Sequence, residues 1–165
     1  EKEMTSYQQL GFKVNDSGSN RNYIPKIQIS MVKEIYLSDT KYNCSEDIAK
    51  SEIVKRELKN SDREKFICIH LNVKNQIISY EVVSMGSLTC SIVHPREVFK
   101  AAILANAASV LFMHNHPSGE PEPSIDDIEI TNRLCKAGTI LGFNVLDHLI
   151  ITRTGFLSFR QKGLI

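Results

Sequence analysis

Val110-Leu111-Phe112-Met113 is an apolar run with no polar face, and it leads directly into His114-Asn115-His116-Pro117. A short strand that is apolar on both sides belongs in the middle of a sheet covered on both faces. That one segment asks for a mixed α/β domain, a central sheet with helices packed against it. It also places two histidines at i and i+2 where the strand ends. Strand side chains alternate with period two, so both imidazoles project to one side. A chain of 165 residues is long enough to bury such a core without disulfide or metal staples.

The flanking pattern agrees with that frame. Phe66 to Leu71 and Ile77 to Val83 read as a hairpin joined through Lys74-Asn75-Gln76. Ser45 with Glu46 and Asp47 predicts a helix start, with Ile48, Ile53 and Leu58 at helical spacing as far as Lys59. Pro95 predicts the first turn of another helix, carried on by Val98, Ala101, Ala102 and Ala105. Ser124 opens a further helix, which Gly138 is expected to end. Val145 and Leu149 to Ile151 form a strand, and a last short strand follows around Phe156 to Phe159. Residues 1–41 read as a polar N-terminal arm with one strand near Ile27 to Val32, and residues 42–165 as the metal-binding domain.

The chemistry concentrates between His114 and Asp127. After the two histidines, Pro117 and Gly119 turn the chain, and a Pro-rich loop delivers the helix start at Ser124. Asp127, three residues into that helix, can return its carboxylate as a third metal ligand. Three protein ligands are the mark of a catalytic rather than a structural zinc, because the fourth position stays open. Ser124 shares a helix face with Asp127 and could donate to an oxyanion. Each element alone has a plainer meaning. An H-x-H pair arises by chance, and S-x-x-D is also an ordinary helix cap. The combination at the exit of a buried strand is what makes the segment specific.

At these residues the chain resembles the JAMM (MPN-plus or JAB) zinc metalloprotease family, whose pattern is an upstream Glu, H-x-H-P, then S-x-x-D. His114, His116, Pro117, Ser124 and Asp127 match it. Within that family the chain looks like the RadC-like branch, through Met85 to Leu88, Val93 to Phe99, His114 to Gly119, Asp127 to Thr131 and Asp147-His148. The resemblance runs from about Tyr42 onward. It implies a cytidine-deaminase-like three-layer core, one zinc per chain on His114, His116 and Asp127, and Ser124 as oxyanion partner. It also implies a general-base Glu just before the first strand of the core hairpin, which is Glu64 here, with Glu81 on the next strand as the competitor. His94 could line a substrate groove, and Asp147-His148 could form a pair that orients a ligand. His70 reads as a core histidine.

Three functions compete on this reading. A zinc peptidase or isopeptidase would act on an extended peptide or protein, which exposed strands can pair with. A DNA-repair or DNA-processing accessory factor would fit the branch's history. A metal-free scaffold would use the fold alone. The balance of 20 basic and 19 acidic residues gives no electrostatic footprint for nucleic acid. The segment ahead of the core also lacks the Gly-rich signals of the helix-hairpin-helix region that RadC-like proteins usually carry, as in the short forms on mobile elements. One Asp and two His suit a single zinc better than a two-metal nuclease. Cys44, Cys68, Cys90 and Cys135 are too scattered for a thiolate site and read as reduced, mostly buried thiols. The alanine-rich lead-in to Met113 is broken by Lys100, Asn106 and Ser109, so no membrane span is expected. Charged and polar first residues predict a cytoplasmic chain, with a homodimer left open.

Overall fold

A computed structural model describes residues 42–86 and 93–165. The expected strand near Ile27 to Val32, the Ser87-Leu88 segment and Cys90 lie outside the described residues. Within them the elements run α1 (Ser45–Ala49), α2 (Glu52–Glu57), β1 (Lys65–Leu71), β2 (Ile77–Met85), α3 (Pro95–Leu104), β3 (Ser109–Asn115), α4 (Ile125–Leu141), β4 (Asn144–Ile151) and β5 (Phe156–Ser158).

Five strands form one mixed sheet in the order β2-β1-β3-β4-β5. β1 pairs antiparallel with both β2 and β3, β3 pairs parallel with β4, and β4 pairs antiparallel with β5. The parallel pair needs a crossover, which α4 supplies. β3, read from its apolar run as a central strand, has all seven residues buried. Alternation splits its side chains between two cores. Leu111 and Met113 pack with Ile48, Ile53, Val54 and Leu58 of the α1–α2 side. Val110 and Phe112 pack with Val98, Phe99, Ile130 and Leu134 of α3 and α4. Helix, sheet and helix therefore make three layers, the α/β architecture expected. Burying one side chain such as Phe112 contributes roughly 1.5–3 kcal/mol relative to leaving it in water.

Three local expectations change. The helix from Ser45 to Lys59 is two short helices, because Ser51 N-caps α2 with its side chain accepting from the Val54 N–H. Ser45 does not cap α1; Cys44 occupies that position, and the Ser45 hydroxyl donates to Asp147 Oδ2 at 2.5 Å. α4 does not stop at Gly138. It continues to Leu141 and ends on Gly142 in the left-handed conformation at φ +81°. Gly138 is there for space, since a Cβ would lie 3.0 Å from Val145 Cγ2 and 3.3 Å from Phe99 Cζ.

The described cysteines are free, and only Cys68 is buried; Cys44 is exposed and Cys135 half-buried. β5 pairs only with Leu149 to Ile151, so the outer edge of β4 from Asn144 to Leu146 has no strand partner among the described residues. The Arg160 guanidinium covers it, with Nε donating to Leu146 O and Nη2 to Val145 O at 3.0 Å. No helix among the described residues is long and apolar enough to cross a membrane.

Candidate metal centre

Two elements meet where β3 ends. The strand carries His114, which is fully buried, and passes directly into His116, which is partly buried. The His116 N–H donates to Ile151 O at 3.0 Å, extending the strand pairing one step past β3. The loop turns at Gly119 with φ +90°, a conformation that favours glycine. It returns at Ser124, the N-cap of α4, where Asp127 Oδ2 accepts the Ser124 N–H at 2.7 Å and the Asp127 N–H reaches Ser124 Oγ at 3.1 Å. This capping box fixes the carboxylate at the helix N-terminus, where the helix dipole favours negative charge.

His114, His116 and Asp127 are thereby brought together, with ligand atoms all within 4.8 Å. His114 Nε2 lies 2.9 Å from His116 Nε2 and 3.3 Å from Asp127 Oδ1, and His116 Nε2 lies 3.5 Å from Asp127 Oδ2.

The proton positions follow from the partners behind them. Thr131 Oγ1 donates its one hydrogen to Asp127 O at 2.5 Å, so its contact with His148 Nδ1 at 2.6 Å must run from the imidazole N–H to the hydroxyl. His148 Nε2 is then an acceptor, and His114 Nδ1–H donates to it at 2.8 Å. His114 Nε2 is left as a bare lone pair facing the site. His116 reaches the same state through Nδ1–H donating to Glu120 O at 2.7 Å.

Burial pushes the His114 pKa down to about 4 and the His148 pKa well below its ordinary value, so both rings are neutral at pH 7. Phe66 lies against both, 6.4 Å from the His114 ring and 5.4 Å from that of His148, and Phe159 stacks on His148 at 4.7 Å. His116 moves the other way: its hydrogen bond with Asp127 raises it against the effect of burial. At Asp127 burial alone would raise the pKa, yet the bonds from His116 and Ser124 hold it well below the usual carboxylate range. With His116 neutral, two imidazole lone pairs and a carboxylate converge with no donor facing inward; with His116 protonated, its Nε2–H faces Asp127. The neutral arrangement repels itself until a proton on His116 Nε2 or a metal cation sits among the three, and a nitrogen–nitrogen–oxygen set fits a divalent metal.

The remaining candidates separate. Glu64 immediately precedes β1, whose Phe66 lies opposite His114, and the Glu64 charge acts on the His116 imidazole. Glu81 lies deeper in the sheet opposite Cys68. Burial raises its pKa, and its charged neighbours are Lys100 and Glu97 of α3. Ser124 Oγ donates to Asp127 Oδ2 at 2.6 Å, so its proton points at the carboxylate rather than outward. His94 caps α3, with Nδ1 accepting from the Arg96 N–H at 3.1 Å.

The proposed Asp147-His148 pairing needs correction. Neighbours on a strand point to opposite faces. Asp147 faces away from the site and accepts from Ser45 Oγ, Ser158 Oγ and the N–H groups of His148 and Arg160. His148 alone supports the site, accepting from His114 at Nε2 while Thr131 holds its Nδ1–H. Thr131 was missed by sequence reasoning, and its signal was its position one turn after Asp127. Asn115 was missed too: Oδ1 accepts the Lys65 N–H at 2.8 Å and Nδ2 donates to Arg63 O at 3.0 Å.

A family model described as RadC-like JAB domain matches residues 42–164. Among curated proteins, a UPF0758 protein of Desulforamulus reducens is 50% identical over 122 residues, covering 74% of this chain and 53% of the relative. Another, from Geobacillus thermodenitrificans, is 43% identical over 157 residues, with 95% and 61% covered. A third, from Methanosarcina mazei, is 42% identical over 141 residues, with 86% and 55% covered. The chain thus spans little more than half the length of these curated relatives.

Proposed function

The chain belongs to the RadC-like JAB domain family, and from that premise we propose that it is a zinc-dependent hydrolase of the JAMM type that cleaves peptide or isopeptide bonds. The observation that carries the reading is the convergence of His114 Nε2, His116 Nε2 and the Asp127 carboxylate, with both imidazole protons held away behind the site. Zinc held by these three residues would supply Lewis acidity toward a carbonyl and make water a better nucleophile at neutral pH.

The chain's own residues do the rest. Glu64, whose charge acts on His116, takes the proton from the attacking water and later passes it to the leaving amine. Ser124 keeps its cap by accepting the Asp127 N–H while its hydroxyl rotates about Cβ–Oγ to donate to the developing oxyanion. Phe66 and the fully buried His148 keep water from the rear of the site, which strengthens every charge interaction in front. An extended peptide or protein segment is the substrate class we assign. The near-neutral charge of the chain gives no support to direct DNA contact.

Elemental analysis of the purified protein beside His116→Ala and Asp127→Ala tests the metal first, and the expected result is about one zinc per chain, lost in both variants. A screen of peptide and isopeptide substrates then tests the chemistry. Glu64→Gln should keep its zinc and lose roughly 10²–10⁴-fold in rate. A wild-type chain that takes up no zinc on reconstitution, or a Glu64→Gln variant with undiminished rate, would overturn the proposal.

A further inference from the structure

We infer that Asn115, the residue between the two histidines, is a positioning residue for Glu64; the inference rests on the general-base reading given above. Asn115 is 3% exposed and ends β3. The β1–β3 ladder has its last pair at Phe66 and His114, and one step beyond it the Asn115 side chain replaces the strand. Its Oδ1 accepts the Lys65 N–H at 2.8 Å and its Nδ2 donates to Arg63 O at 3.0 Å. Those two groups flank Glu64 on either side. The Glu64 carbonyl between them accepts the Gly86 N–H at 2.8 Å. Three consecutive residues are therefore pinned at the point where β1 begins, and the segment that carries the carboxylate cannot swing as a free strand end would.

The chemistry of the clamp is particular to a short primary amide, which donates and accepts at once. Aspartate at this position would lose the donor to Arg63 O, and glutamine would add a methylene to the reach. Because Asn115 shares its backbone with His114 and His116, the clamp references Glu64 directly to two of the three metal-binding residues. Positioned groups of this kind need to be held within about 0.5 Å of working geometry.

Two measurements test it. Amide hydrogen exchange by NMR, with or without zinc, should show the Lys65 N–H exchanging roughly tenfold or more faster in Asn115→Ala, while Phe112 and Met113 in β3 keep their protection. Binding of acetohydroxamic acid, a small zinc chelator that hydrogen-bonds to a neighbouring carboxylate, should be compared in zinc-loaded wild type, Asn115→Ala, Glu64→Gln and the double variant. The expected pattern is equal zinc content in all four, about tenfold weaker binding in each single variant, and no further loss in the double variant. Full additivity of the two losses, undiminished binding by Asn115→Ala, or loss of its zinc would each overturn the positioning role while leaving the hydrolase reading in place. A wild-type chain that holds no zinc would overturn both.

Discussion

Thr131 decides which nitrogen His114 offers, although it touches no metal-binding side chain. Its hydroxyl is committed to Asp127 O, which orients His148, which in turn orients His114. Thr131→Val keeps the shape and deletes the hydroxyl, so His148 loses its acceptor and the tautomer is no longer set. Zinc affinity measured by chelator competition should fall about 10–100-fold with the fold intact.

His70 shows what an unrelieved buried imidazole does to stability. It is 1% exposed, with Nδ1 on Ser79 Oγ at 2.7 Å, and burial pushes its pKa from 6.5 down to about 4. The unfolded chain binds the proton first as pH falls. Titration of His70 thus adds almost no cost well above pH 6.5 and destabilises progressively from there toward pH 4. Between pH 6 and pH 5, urea unfolding of wild type should lose about 1 kcal/mol more than that of His70→Gln.

Spacing along the chain made His114, His116 and Asp127 legible, because i and i+2 on a strand and the third residue of a helix are positions that local geometry defines. The same reasoning misled at Asp147-His148. Adjacency suggested a pair, whereas adjacency on a strand separates two side chains by the thickness of the sheet. Thr131 and Asn115 were illegible for another reason: their partners lie 17 and 50 positions away and meet them only through the topology.

At the scale of elements, α4 carries most of the organisation, since its first turn holds Asp127 and its length sets the crossover from β3 to β4. Gly138 read as a stop because glycine so often follows a helix. Its actual role became visible only with Val145 and Phe99 in place. Gly138→Ala gains helix propensity yet should destabilise the protein by about 1 kcal/mol in chemical denaturation. Val145 is β-branched and stiff, and Phe99 is already packed between Phe112 and Phe143 at 6.2 and 5.3 Å. The division between α1 and α2 was hidden similarly, because hydrophobic spacing continues smoothly through the break at Ser51.

Across the whole molecule, Asp147 joins the beginning of the described chain to its end. Its carboxylate gathers Ser45 of α1, Ser158 of β5 and the Arg160 amide in one buried knot. Asp147→Ala would leave those donors without an acceptor, and a loss of about 3 kcal/mol or more is expected in equilibrium unfolding. Restored stability in Asp147→Asn would count against a charge-dependent knot.

The Arg160 side chain laid across Val145 O and Leu146 O has a consequence for the crowd of identical molecules in a concentrated solution. An open strand edge is an invitation to a neighbour's strand, and here a guest would have to evict a charged guanidinium before forming its first hydrogen bond. That stretch of β4 is thus closed to recruitment without a further strand having to be built.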